Sequence, residues 1–215
     1  MVFLTGATGY MGQRLAAELL RRGHNVTALV RTGSEAKAAG CSVVVGDALD
    51  AGSYREQVPR GATFIHLVGV AHPSPAKAAE FVAIDLQSIR AAINAAQFAE
   101  VSHFVYVSVA HPAPVMKAYI AVRREGEALI RSARLSATIL RPWYVLGPGH
   151  WWPVALIPMY WFMERIPARR EGARRLGLVT LKQMVSALAD AVDHPSDGVR
   201  VVEAPAIKSG DFCLS

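Results

Sequence analysis

The chain has 215 residues, 52% of them hydrophobic and 19% charged, with a formal net charge of +6. That apolar content excludes a wholly disordered chain and is enough for the core of one good-sized domain. The basic balance favours anionic partners such as a phosphorylated cofactor, nucleic acid or an anionic lipid surface, without choosing among them.

In chain order, short apolar runs alternate with helical patterns. Val2-Phe3-Leu4-Thr5 reads as a buried strand, and Gln13 to Arg22 as a helix with Leu15, Leu19 and Leu20 on one face and Gly23 as its stop. Strands follow over Asn25 to Val30, Ser42 to Val45 and Thr63 to Val68, with short helices over Glu35 to Ala39 and Ala51 to Gln57 between them. Ala76 to Ala99 is mostly helical, His103 to Val109 is a fifth strand, Tyr119 to Ala133 a long helix, and Ala137 to Leu140 a sixth strand. Thr180 is placed to cap a helix over Lys182 to Val192, and Val199 to Glu203 is a last strand. The strands are continuous Val/Ile/Leu runs, as a parallel sheet covered on both faces requires. The expectation is an α/β fold: a doubly wound, Rossmann-type parallel sheet with helices on both faces and a small C-terminal lid. Residues 1–215 read as one dinucleotide-binding domain, in which 147–178 break the rhythm as a substrate-side insertion or lid.

Cys41 and Cys213 form no CxxC pair and read as free thiols of a reducing, cytoplasmic compartment, with Cys41 a small core residue at a strand entry. No signal segment precedes the first strand, and the most apolar stretch, Trp151 to Met163, is too short to span a membrane. The seven histidines show no HExxH or HxxxH spacing, so no metal site is expected.

The informative motif is Gly6-Ala7-Thr8-Gly9-Tyr10-Met11-Gly12, between the first strand and the first helix. There Gly6 permits a tight turn, Gly9 lets the backbone approach a diphosphate, and Gly12 lets the helix pack closely. The helix N-terminus then offers free N–H groups to the phosphates. The second strand ends in Arg31, where an acid would favour the ribose hydroxyl of NAD(H). An arginine favours the 2′-phosphate of NADP(H), which is the cofactor expected here over NAD(H).

The T-G-x-x-G-x-x-G spacing resembles the short-chain dehydrogenase/reductase superfamily, particularly its extended and atypical members, NmrA-like or NAD-dependent epimerase-like. The resemblance covers nearly the whole chain. It implies that Asp47, within Gly46-Asp47-Ala48, lies beside the adenine, and that the backbone of Leu67-Val68-Gly69 runs past the cofactor. It also implies that Pro142-Trp143-Tyr144-Val145, in a Leu-Arg-Pro…Gly-Pro-Gly loop, packs near the nicotinamide. Ser108 and Tyr119 match the family's carbonyl-positioning serine and proton-donating tyrosine, while Arg123 stands where the family carries lysine. Residues i and i+4 share a helix face, so Tyr119 and Arg123 reach the same place. Arginine supplies a cation but does not give up its proton, so a relay through it is not expected.

The implied function is an NADP(H)-binding atypical reductase transferring hydride to a carbonyl, quinone or flavin-like acceptor. The missing lysine keeps open a non-catalytic NADP(H) sensor or a structural subunit of a larger complex. A sugar-nucleotide epimerase is disfavoured by the absent lysine and the short substrate region. The aromatic and arginine-rich 151–175 segment fits a solvated face, an anionic substrate or peripheral contact with lipid headgroups. It lacks interleaved aromatics within its arginine run, which argues against nucleic acid. Substrate and oligomeric state are not legible.

Overall fold

The computed structural model describes residues 1–113, 115–148 and 176–210. Seven parallel strands form one sheet. They are β1 (Val2–Thr5), β2 (Val26–Val30), β3 (Ser42–Val45), β4 (Thr63–His66), β5 (His103–Val107), β6 (Ala137–Arg141) and β9 (Val199–Glu203), in the order β3-β2-β1-β4-β5-β6-β9. A second, two-stranded parallel sheet joins β7 (Val145–Leu146) to β8 (Val179–Thr180). The order runs outward in both directions from β1 and β4. The chain therefore reverses there, and the carboxyl ends of these strands open a crevice of the kind that receives ligands in such sheets.

The two faces of the sheet are covered by different helices. On one face Leu4, Ile65 and Val105 pack with α1 (Gly12–Arg21), α5 (Leu181–Asp193) and α6 (Ala204–Ser209). On the other, Phe3, Phe64 and Phe104 sit in register on β1, β4 and β5, with ring centroids 5.2 and 5.3 Å apart. These rings pack against α3 (Gln87–Phe98) and α4 (Lys117–Ser132), and each buried ring is worth about 1.5–3 kcal/mol. Arg22 holds α1 to α5, meeting Glu18 at 2.8 Å, Asp190 at 2.6 Å and Asp193 at 2.5 Å.

The Rossmann-type architecture agrees with the sequence reading, and the differences have local causes. β3 is the sheet's edge, so Val43 and Val45 are exposed rather than buried, and Cys41 beside it is only partly buried. β4 and β5 stop at His66 and Val107, because the residues beyond them turn into the crevice loops. The stretch read as a helix over 51–57 is two tight turns, Ala51–Ser53 and Arg55–Gln57. The helix read over 76–99 is α2 (Ala78–Glu80), a π-helical turn over Phe81–Leu86, and α3. β7, β8 and α6 were not anticipated. The aromatic and arginine-rich 151–175 segment lies outside the described residues. Among the described residues no helix is long and apolar enough to cross a membrane.

Thr180 caps α5 as expected. Its hydroxyl accepts from the Gln183 amide, and the Gln183 side chain reaches back to the Thr180 amide. Replacing Thr180 with alanine is expected to lower stability by about 1 kcal/mol, read from urea unfolding midpoints.

Candidate active site

The glycine loop is built by close contacts that exclude side chains. Gly6 holds a left-handed backbone, φ +77°, against the Leu67 backbone. The Gly9 amide donates to the Gly6 carbonyl at 3.1 Å. A methyl group at Gly12 would lie 2.1 Å from that carbonyl oxygen and 2.8 Å from the Ala7 Cα, so only glycine lets α1 start there. No side chain caps α1 at Met11, and the Gln13 and Leu15 amides donate to the Gly9 and Met11 carbonyls at 3.1 and 3.0 Å.

Two cavities meet at Gly6, Gly9, Leu67, Gly69 and Ala71, and together form one groove over the carboxyl ends of the strands. The first, about 430 Å³, is lined by Thr8, Arg31, Gly46, Asp47, Ala48 and Val68. Arg31 is exposed there at the end of β2. The Asp47 carboxylate accepts from the Leu49 amide at 2.9 Å, which fixes its direction. The second, about 380 Å³, is lined by Met11, Gly12, Val70, His72, Val107 and Arg123. A chain of small backbone and polar groups thus joins an arginine-bearing end to an end floored by Arg123. The groove thus has an uncapped helix start at its middle, an acid and a base at one end, and a partly buried second compartment at the other.

Tyr10 lines the second cavity, but its hydroxyl end runs beneath Gly147, and Arg14 stacks 4.7 Å from its ring centre. Pro142, Trp143, Tyr144 and Val145 line neither cavity. The Pro142 carbonyl accepts from the Ala110 amide, the Trp143 and Tyr144 rings meet edge-on at 5.5 Å, and Val145 belongs to β7.

Of Ser108, Tyr119 and Arg123, the fold brings the last two together. The Arg123 guanidinium lies 5.1 Å from the Tyr119 ring centre, as i,i+4 spacing on α4 dictates. Tyr119 packs on Phe81, and its hydroxyl makes no hydrogen bond among the described residues. Ser108 is engaged elsewhere, because its buried hydroxyl donates to Glu127 at 2.6 Å. Arg141 grips the same carboxylate through two nitrogens and reaches Glu203 at 2.9 Å. Burial opposes ionisation of Glu127, yet Arg141 and the Ser108 hydroxyl hold its carboxyl below the usual carboxylate range.

Asp85 was not anticipated as a site residue. It sits in the π-helical turn, fully buried, and accepts from Arg123 Nη2 at 2.6 Å through one oxygen and from the Val70 amide at 3.0 Å through the other. Arg123 Nη1 donates to the Val107 carbonyl at 2.9 Å. Burial lifts the Asp85 carboxyl above its ordinary value against the pull of Arg123 and the Val70 amide. Its signal in the sequence was a lone acid on the apolar face of a helical pattern. Below it Ser88 donates to the Asp85 carbonyl, and His66 bridges Ser88 (3.2 Å) and Thr5 (2.9 Å). Burial, and then the charge on Arg123, push the His66 imidazole down to about 3, so it is neutral.

Residues 6–147, more than half of the chain, match the family described as NAD(P)H-binding. The chain belongs to that NAD(P)H-binding family, whose fold and glycine loop it carries. Among curated relatives, a protein named ceramide reductase from Caulobacter vibrioides is 32% identical over 153 residues, covering 69% of this chain and 47% of its own length. A 3-diazoavenalumate denitrifying reductase from a Streptomyces species is 30% identical over 174 residues, covering 69% and 57%. The chain therefore spans about half the length of the curated relatives it matches. Solved structures share its fold. The Bordetella bronchiseptica enzyme WbmH in complex with NAD+ aligns at TM-score 0.68 with 19% identity, covering 94% of this chain and 75% of its own. MoeE5 with UDP-glucose and NAD aligns at 0.67 with 22% identity, covering 97% and 79%.

Two outcomes follow. Gly12→Ala is expected to abolish measurable dinucleotide binding in a fluorescence titration, because the loop cannot close around the added methyl. Stability is expected to fall as pH drops from about 6.5 towards 3, since the unfolded chain takes up a proton that the folded His66 refuses. His66→Gln should flatten that part of the stability profile in urea unfolding measured across pH. An unchanged slope would place the acid sensitivity elsewhere.

Proposed function

We propose that the chain is an NADP(H)-dependent oxidoreductase of the atypical short-chain type, acting on a carbonyl, quinone or flavin-like acceptor. The observation that carries this reading is the continuous groove from Arg31, past the glycine loop, to the Arg123 compartment. The absence of an acid at the end of β2 and the exposed guanidinium of Arg31 favour a 2′-phosphate over a free ribose hydroxyl. When bound, the nicotinamide would supply or accept a hydride. Tyr119, partly buried beside Arg123, would hold the transferable proton on its hydroxyl, and Arg123 would support the tyrosine electrostatically without itself releasing a proton. Ser108, with its proton committed to Glu127, has only lone pairs left, so it could accept a hydrogen bond from a substrate but not donate one.

A second reading has its own observation. The engagement of Ser108 by Glu127 and of Arg123 by Asp85 favours a protein that binds NADP(H) without turning it over, as a sensor or as a subunit of a larger assembly.

Turnover separates the two. NADPH consumption is to be followed with panels of quinones, flavins and carbonyls. Turnover that falls by about 100-fold or more in Tyr119→Phe supports the oxidoreductase, in the range of a lost general acid. Tight binding with no turnover on any acceptor supports the sensor. For the cofactor, Arg31→Ala is expected to weaken NADPH by about tenfold while leaving NADH nearly unchanged, the scale of one lost charge-assisted phosphate contact. A preference for NADPH that survives the substitution would remove Arg31 from this role.

A further inference from the structure

The second compartment of the groove contains a charge that is already balanced. Arg123 lines that compartment, and a Cβ at Gly69 would lie 2.3 Å from its Nη2, so the guanidinium fills the space directly behind the crevice backbone. Among the described residues one carboxylate, Asp85, pairs with it, at 2.6 Å. Also facing it among the described residues are the Tyr119 and Tyr106 rings, at 5.1 and 5.7 Å, and the Val107 carbonyl. His66, at the end of β4, is neutral. The side chains of Asp85 and Arg123 are 0% and 8% exposed, so water screens neither.

We infer that Asp85 sets the balance between oxidised and reduced cofactor in this groove, by cancelling the charge that Arg123 would otherwise present to a nicotinamide ring. The inference rests on the reading that the groove holds a nicotinamide dinucleotide. The oxidised ring carries a positive charge and the reduced ring carries none, while the rest of the molecule is the same in both forms. The ratio of the two affinities therefore reports the charge of the compartment that receives the ring. A buried, uncompensated guanidinium there would repel the oxidised form and leave the reduced form almost untouched. With Asp85 ionised beside it, the pair is neutral, and both forms are held. Asp85 also takes the Val70 amide, which turns that N–H inward and fixes the Gly69–Val70 backbone beside the groove. Asp85 is thus a positioning residue, acting through Arg123 and through the crevice backbone.

The test is the pair of dissociation constants for the oxidised and reduced dinucleotide, by calorimetry at about pH 8, above the ordinary titration range of histidine. Three proteins are compared: wild type, Asp85→Asn, and the double variant Asp85→Asn with Arg123→Gln. Wild type is expected to bind the two forms within a few-fold of each other. Asp85→Asn should weaken the oxidised form relative to the reduced form by about tenfold or more, the scale of one unit charge a few ångströms away in a partly buried site. The double variant, neutral again, should return the ratio to the wild-type value, which a purely structural role for Asp85 would not achieve. Equal weakening of both forms in Asp85→Asn overturns the inference. If the variants do not fold, wild type still decides it. Near-parity supports the balanced pair, and discrimination against the oxidised form by more than about tenfold overturns it. Failure of wild type to bind either form overturns the cofactor reading, and this inference with it. That result is distinct from binding with an unchanged ratio.

Discussion

The structure depends on one close approach, that of the start of α1 to the loop leaving β1. Gly12 lies where any side chain would strike the Gly6 carbonyl and the Ala7 backbone. That contact sets the direction of α1, and α1 in turn packs on β1 and is held to α5 by the Arg22 cluster. The same contact sets the start of α1, which no side chain caps, beside the glycine loop. Packing and the groove thus share one constraint: the helix that buries Leu15 and Leu19 starts at Gly12, which lines the groove.

From that point outward the site divides into two compartments with opposite electrostatic treatment. Arg31 stands exposed just past the end of β2 and lines one cavity. Arg123 is buried and paired with Asp85. An exposed arginine selects an anion by attraction, whereas a buried paired arginine shapes the cavity and holds the backbone around it. Beneath this pair the Thr5–His66–Ser88 chain ties β1, β4 and the π-helical turn together with every polar group engaged. π-helical turns of this kind tend to occur where a function displaces the backbone. Here the turn contains Asp85, the acid that pairs with Arg123.

Much of the fold was legible because a parallel sheet covered on both faces demands continuous apolar strands, and β1, β4, β5 and β6 are written that way. β3 carries the same valines, yet it lies at the edge, and strand order is not a local property. The glycine loop was legible because each glycine answers a local requirement. Asp85 and its pairing with Arg123 were not, since 38 residues separate them and the π-helical turn that aims the carboxylate leaves no periodic signature. Ser108 shows the same limit from the other side. Its place at the end of β5 was readable, but its partner was decided by Glu127 on α4 and Arg141 on β6, two residues whose meeting only the folded chain displays.

The central claim is that one groove holds a nicotinamide dinucleotide across the glycine loop, and a crystal structure of the chain soaked or grown with NADPH tests it most directly. The account predicts the diphosphate over the amides at the start of α1, the adenosine end beside Asp47 with its 2′-phosphate at Arg31, and the nicotinamide in the compartment backed by Gly69 and Arg123. A dinucleotide seated elsewhere, or lying in the groove with its ends exchanged, would contradict it.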